Sequence, residues 1–131
     1  MTQGSQPPPP SNPPASARRG TERLRRSQDF ALTMRTGRRV RHALLTAVAR
    51  RTHGPDTRLG FAVSRRVGGA VVRNRVKRQI RSIARAHVWV SGYDVVIVAQ
   101  PSCAEARFDE LASAIASTCE KLGILMENRA S

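Results

Sequence analysis

Apolar residues along the chain fall into groups whose spacing separates helices from strands. Phe30 and Met34, with Leu24 ahead of them, stand at helical spacing between Ser27, a candidate N-cap with Asp29 in its first turn, and Gly37, which stops the segment. Residues 42–50 and 58–64 are rich in apolar and β-compatible side chains. His53, Gly54, Pro55 and Asp56 lie between them, a pattern that predicts an antiparallel hairpin. Val67, Gly68 and Gly69 break the second run and lead into a long helix over 70–86. Ser91 and Gly92 then introduce residues 93–99, where Val95, Val96, Ile97 and Val98 are consecutive and predict a buried central strand. Pro101 ends it, and Phe108, Leu111, Ile115, Cys119 and Leu122 recur at the spacing of a final amphipathic helix. Helix, strands, helix, strand and helix in that order give an α+β fold, a single layer of sheet with helices packed on it. Trp89 and Tyr93 read as packing residues where the long helix gives way to the central strand.

The ends add little to this core. Residues 1–20 hold Pro7, Pro8, Pro9, Pro10, Pro13 and Pro14 among Ser, Gln and Asn, too little apolar surface to offset the entropy of ordering. They are expected to be a disordered Pro-rich tail. The folded domain is then 21–124, with 125–131 as a flexible C-terminus, and a chain of 131 residues holds one such domain. There is no apolar leader-like segment at the N-terminus, and no stretch approaches the roughly 20 apolar residues of a membrane span. A soluble cytoplasmic protein with no membrane partner is expected. Cys103 and Cys119 share no motif spacing and read as reduced structural thiols, while His42, His53 and His87 are scattered and suggest no metal site.

Charge changes the picture from a fold to a function. The chain carries 23 Lys+Arg against 9 Asp+Glu, a net of +14 that exceeds what solubility requires. It is unevenly placed: residues 18–85 hold 20 Lys+Arg and only Glu22, Asp29 and Asp56, whereas residues 86–131 hold 3 against 6 acids. Nearly all the cations are arginine, which either reflects the planar guanidinium's fit to phosphates and bases or follows from the gene's base composition. On a helical wheel Val72, Val76, Ile80 and Ile83 fall within about 80°, the width of a core-facing stripe. Arg73, Asn74, Lys77, Arg78, Arg81 and Arg85 cover about 140° on the other side, with Arg75 displaced to the edge. A solvated helix face normally interleaves acids, yet no Asp or Glu lies between Asp56 and Asp94. Pairs such as Arg73 with Lys77 and Lys77 with Arg81 therefore repel by a few tenths of a kcal/mol each. Folded RNA is the anion this face predicts, with an affinity that falls steeply with salt.

The same scarcity of acids bears on chemistry. A protein nuclease needs clustered carboxylates for metal ions, or a histidine base with a partner, and the basic region offers neither. No catalytic or metal-ligating side chain is assigned. A helix-turn-helix DNA binder does not fit, because a strand precedes the basic helix.

The string RLGFAVSRRVGGAVVRNRVKRQIR, which starts at Arg58 and ends at Arg81, resembles the signature of the bacterial ribonuclease P protein subunit, in which a strand and a Gly-containing turn lead into an Arg-Asn-Arg helix. RLRRSQDF, ending at Phe30, looks like that family's entry into its first helix, and YDVVIVAQPS, starting at Tyr93, like its last strand and turn. The resemblance implies a ribosomal-protein-like α/β sandwich in the order α-β-β-β-α-β-α, with a left-handed crossover where a right-handed one is the rule. It implies a role as the protein component of ribonuclease P, a ribonucleoprotein endonuclease that removes the 5′ leader of precursor tRNA. Catalysis is carried there by the RNA subunit, with Mg2+ held mainly by RNA, and no obligate protein partner is expected. By position, Arg73, Asn74, Arg75, Lys77, Arg78, Arg81 and Arg85 look like the surface that docks on the catalytic RNA. Phe30, Met34, Ala62, Ser64 and Arg66 look like a cleft for the single-stranded leader, where stacking on bases is the expected mechanism. Phe30 and Met34 also admit a plain reading as core residues of the first helix. The chain departs from the family in having Met34 where a second Phe is frequent and Thr46 where an aromatic residue can lie on the sheet. A structural ribosomal protein is the rival reading.

Overall fold

The computed structural model describes residues 17–19, 22–24, 27–52 and 54–126. Its elements are β1 (Ala17–Arg19), β2 (Glu22–Arg23), α1 (Ser27–Thr36), β3 (Arg38–Arg41), β4 (Leu45–Arg51), β5 (Arg58–Val63), α2 (Ala70–Ala86), β6 (Val88–Val90), β7 (Tyr93–Ala99), a 3-10 turn (Pro101–Glu105) and α3 (Phe108–Leu122). Apart from the short β1, β2 and β6, this is the expected order of helices and strands. The main sheet runs β2-β5-β7-β4-β3. β7 holds its centre, where a strand apolar on both faces is shielded from water on both sides.

The hairpin expected of residues 42–50 and 58–64 does not form. β7 lies between them, antiparallel to β4 (Leu45 opposite Ala99, Arg51 opposite Tyr93) and parallel to β5 (Arg58 opposite Asp94, Val63 opposite Ala99). The hairpin that does form joins β3 to β4, with Arg41 opposite Thr46. A parallel β5-β7 pair needs a long crossover, and α2 supplies it.

Strand alternation assigns each face of the sheet. Leu59, Val95 and Ala49 align across one face, as do Ile97 and Ala47, and with Leu45 they belong to the main core under α2 and α3. α2 presents Val76, Ile80 and Ile83 to that core with Val72 at its margin, as the wheel predicted. α3 contributes Leu111, Ile115, Cys119 and Leu122; Phe108, placed in that stripe by its spacing, is instead exposed at the first position of the helix. The opposite face holds the buried Val48 and Val96 beneath α1. Two glycines seat α1 there. A Cβ on Gly60 would stand 3.0 Å from the Phe30 ring, and one on Gly37 only 2.7 Å from the Thr33 carbonyl oxygen and 2.8 Å from that of Ala49. α1 begins at Ser27 itself, one position earlier than an N-cap role for that residue requires.

The described residues include short segments on either side of 21–124. β6 pairs antiparallel with β1, Arg18 opposite Trp89, and the 124–126 segment lies along β6 through the Val90 amide on the Ile124 carbonyl and the Met126 amide on the Val88 carbonyl. Trp89 is fully buried there and donates its indole N–H to the Ala84 carbonyl at 3.0 Å. The disorder expected of residues 1–16 and the flexibility expected of 127–131 concern positions outside the described residues.

Candidate nucleic-acid interface

α2 is fixed by its apolar stripe, and the opposite side is left to its cations. Asn74, Arg78 and Arg85 are exposed, while Arg73, Lys77, Arg75 and Arg81 are half-buried. Three of the arginines are held by the protein itself. Arg73 Nε donates to the Gly68 carbonyl at 3.1 Å, Arg75 Nη2 donates to the Ala104 carbonyl in the 3-10 turn at 2.6 Å, and the Arg81 guanidinium stacks 5.9 Å from the Phe61 ring centroid. A guanidinium has five N–H donors, so one internal bond orients the group and leaves others for phosphate. No ion pair among the described residues involves any cation of α2. Val71 is 82% exposed at the start of this face, an apolar group next to Asn74 and Arg75.

A second feature lies on the α1 side of the sheet. The facing residues form cross-strand rows: Arg58, Asp94 and Arg50; then Gly60, Val96, Val48 and Arg39; then Ala62, Val98, Thr46 and Arg41. In the first row a fully buried Asp94 accepts from Arg58 at 2.8 Å and from Arg50 at 2.9 Å. Asp29 of α1 lies 3.3 Å from Arg58, tying the helix to the sheet. The hydrogen bond to Asp94 is the main reason Arg58 holds its proton more tightly than a free arginine. α1 covers the second row and stops short of the third. A groove of about 450 Å³ opens there, lined by Met34, Arg39, Arg41, His42, Ala43, Thr46, Val98 and Gln100. Its floor is polar, with Gln100 Nε2 donating to Thr46 Oγ1 at 3.3 Å. Among the described residues no three His, Cys, Asp or Glu side chains gather where they could hold a metal ion.

The family model for Ribonuclease P matches residues 19–123. The chain belongs to the ribonuclease P protein family. The ribonuclease P protein component of Acidothermus cellulolyticus is 44% identical over 95 residues, which cover 70% of this chain and 79% of that protein. That of Streptomyces avermitilis is 40% identical over 111 residues, covering 76% and 90%. Among solved structures, the RNase P protein of Thermotoga maritima is similar at TM-score 0.65 and 26% identity over 73% of this chain and 93% of that one. The RNase P protein of Staphylococcus aureus is similar at TM-score 0.65 and 20% identity, over 76% and 94%.

The site residues expected from the ribonuclease P resemblance are brought together in part. All seven on α2 share one helix, but Arg75 and Arg81 lean to opposite flanks, toward the 3-10 turn and toward β5. Of the five cleft residues, Met34 lines the groove and Ala62 lies one strand away in the same cross-strand row. Phe30 sits deeper, its ring against Gly60, so it packs α1 onto the sheet and is half-buried there. Ser64 and Arg66 are exposed where β5 ends, the Arg66 amide donating to Ser64 Oγ at 3.2 Å. Arg39, Arg41 and Gln100 escaped the sequence reading. The signal for the arginines was the alternation in Arg-Arg-Val-Arg, whose Val40 packs on the core. Its neighbours Arg39 and Arg41 must then face the other way.

Proposed function

We propose that this chain is the protein component of a bacterial ribonuclease P. It binds the catalytic RNA subunit through α2 and the 5′ leader of precursor tRNA through the groove beside α1, and so assists removal of the leader. The observation that carries the reading is the acid-free cationic face of α2, rigidly backed by Val76, Ile80 and Ile83, in a chain of this family. Phosphate contacts by arginines already oriented on carbonyls and an aromatic ring fix register on a folded RNA at little entropic cost.

In this reading the protein's residues bind and orient, and the bond-breaking chemistry belongs to the RNA. Magnesium ions, required by the assembled enzyme and held mainly by RNA, would supply an activated water and stabilisation of the leaving oxygen. The protein works in the cytoplasm on precursor tRNA. The test is reconstitution: purified protein added to a bacterial ribonuclease P RNA is expected to restore 5′ maturation of precursor tRNA at low magnesium, where the RNA alone is slow. Absence of stimulation together with tight binding to ribosomal RNA would overturn this in favour of a structural ribosomal protein.

A further inference from the structure

The first turn of α2 is set in rotation by the residues before it. A Cβ on Gly68 would stand 2.9 Å from the Cβ of Val72, so the turn closes directly on that side chain, which packs at the margin of the core. Successive helical residues lie about 100° apart, and Val71 is thereby carried to the outer side, where it is 82% exposed. The backbone there is held on both flanks, by Arg73 Nε on the Gly68 carbonyl at 3.1 Å and by Arg75 Nη2 on the Ala104 carbonyl at 2.6 Å. A Cβ on Gly69 would meet nothing within 4 Å, so the way to Val71 from the head of the helix is open. The other exposed large apolar side chains among the described residues are Phe108, beside Asp109 and Glu110, and Met126. Val71 alone stands among cations. A single exposed apolar residue is ordinary on a protein surface, and its neighbours decide what it can do. By helical spacing these are Asn74 and Arg75, three and four positions on. An apolar group, an exposed amide and an oriented guanidinium thus form one contiguous patch, and α2 contains no acid to oppose it. Those are the groups that suit, in turn, the ribose and base face, the base edge and the phosphate of a nucleotide.

We propose that Val71, Asn74 and Arg75 seat one unpaired nucleotide of the RNA subunit. Its ribose and base face pack on the Val71 methyl groups, its base edge meets the Asn74 amide, and its phosphate takes the guanidinium donors that Ala104 leaves free. This rests on the functional reading above and adds to the phosphate contacts of α2 one contact that does not depend on charge. Duplex RNA cannot supply it, because its bases are stacked inward and its narrow major groove shuts side chains out; a looped or bulged nucleotide can. The seat sets register. Phosphates repeat along every strand, whereas an unpaired nucleotide stands at a fixed point of a folded RNA and fixes where the helix comes to rest. Because Val71 is already held in place, little ordering entropy is lost when the contact forms.

The experiment measures the affinity of the full chain for a bacterial ribonuclease P RNA, without precursor tRNA, over a range of salt concentrations. Val71→Thr keeps the branched Cβ and exchanges one methyl group for a hydroxyl. It is expected to weaken binding about fourfold, the worth of one buried methyl group, with salt slope and melting temperature unchanged. Arg78→Ala, by contrast, should lower the slope by roughly 0.7 to 0.9. A photoreactive diazirine side chain placed at position 71 should crosslink to unpaired nucleotides at one place in the RNA. Unchanged affinity for Val71→Thr overturns the proposal, as does a loss that comes with a lower slope, since Val71 would then stay in water or act only through the charges around it. Crosslinks scattered over duplex segments overturn it too. If the wild-type chain does not bind the RNA at all, the functional reading itself falls, and this inference with it.

Discussion

Asp94 is the residue on which the α1 face depends. Its carboxylate is fully buried and accepts hydrogen bonds from Arg50 and Arg58, which keep part of their surface in water. In its place asparagine keeps one acceptor oxygen but removes the negative charge held between two guanidinium groups and turns an NH2 donor toward one of them. Asp94→Asn is expected to destabilise the fold by about 2–4 kcal/mol, toward the lower end of what breaking a buried pair costs because both arginines are partly solvated. Urea unfolding followed by Trp89 fluorescence measures this. Residues also separate by role on α2. Arg78→Ala removes an exposed charge and should weaken RNA binding and flatten its salt dependence with little change in melting temperature. Arg75→Ala should do the same and also lower stability by about 1 kcal/mol, because its bond to the Ala104 carbonyl docks the 3-10 turn. Equal melting temperatures for the two variants would show that this bond contributes nothing to the fold. The two thiols are the inert end of the scale: burial raises Cys103 and pushes Cys119 up to about 12, so neither should react with an alkylating reagent until the protein unfolds.

At the scale of elements, α1 shows how a helix can be placed by residues it does not contain. Gly60 and Gly37 leave the space it occupies, and Gly60→Val would drive methyl groups into the Phe30 ring. Overpacking of this kind costs typically 1–3 kcal/mol. The variant should also lose leader-dependent affinity, since the groove's wall is Met34 of the displaced helix; retention of that affinity would separate the groove from α1. Legibility in the sequence followed periodicity. α2 and α3 were readable because their apolar stripes recur over four turns, and β7 because four consecutive β-branched residues fit few places other than the middle of a sheet. The partners of β4 were not readable, since either edge of a strand looks alike in one dimension and a nearby run is the natural guess. The resemblance implied three strands before α2, but the first of them was not placed, because the alternation in β3 rests on a single apolar residue, Val40, among three arginines, and the groove was missed with it. The α2 cations were legible as a face, but the leaning of Arg75 and Arg81 to opposite flanks depends on Ala104 and Phe61, which only the tertiary fold brings near.

The whole molecule is electrically divided. Cations occupy α2, β3 and the end of β5, while Asp109, Glu110 and Glu120 lie on α3. Such a dipolar charge distribution orients the protein as it approaches a polyanion, so the association rate with RNA should fall steeply with ionic strength. Stability has its own dependence on pH. His87, just after α2, packs edge-on to Trp89 at 6.4 Å, and burial lowers its affinity for a proton, with Glu120 opposing. Its folded value lies below the ordinary 6.5, so the unfolded chain binds the proton more readily. Stability should therefore be unaffected by His87 above about 6.5 and decline as pH falls from there toward the lowered folded value. His87→Gln should remove that decline, and urea midpoints between pH 5 and pH 8 would show it as a flatter curve.

The position of β7 between β4 and β5 has a consequence for biosynthesis. Both flanking strands leave the ribosome tens of residues before the strand they share, and each then has an unmatched edge. A nascent chain that ends before Tyr93 holds the residues for the β3–β4 hairpin but lacks the main partner of β5. Sheet formation thus waits for the last third of translation, while α2, a local structure, can form earlier. Its cationic face is then available to RNA before the protein beneath it is complete.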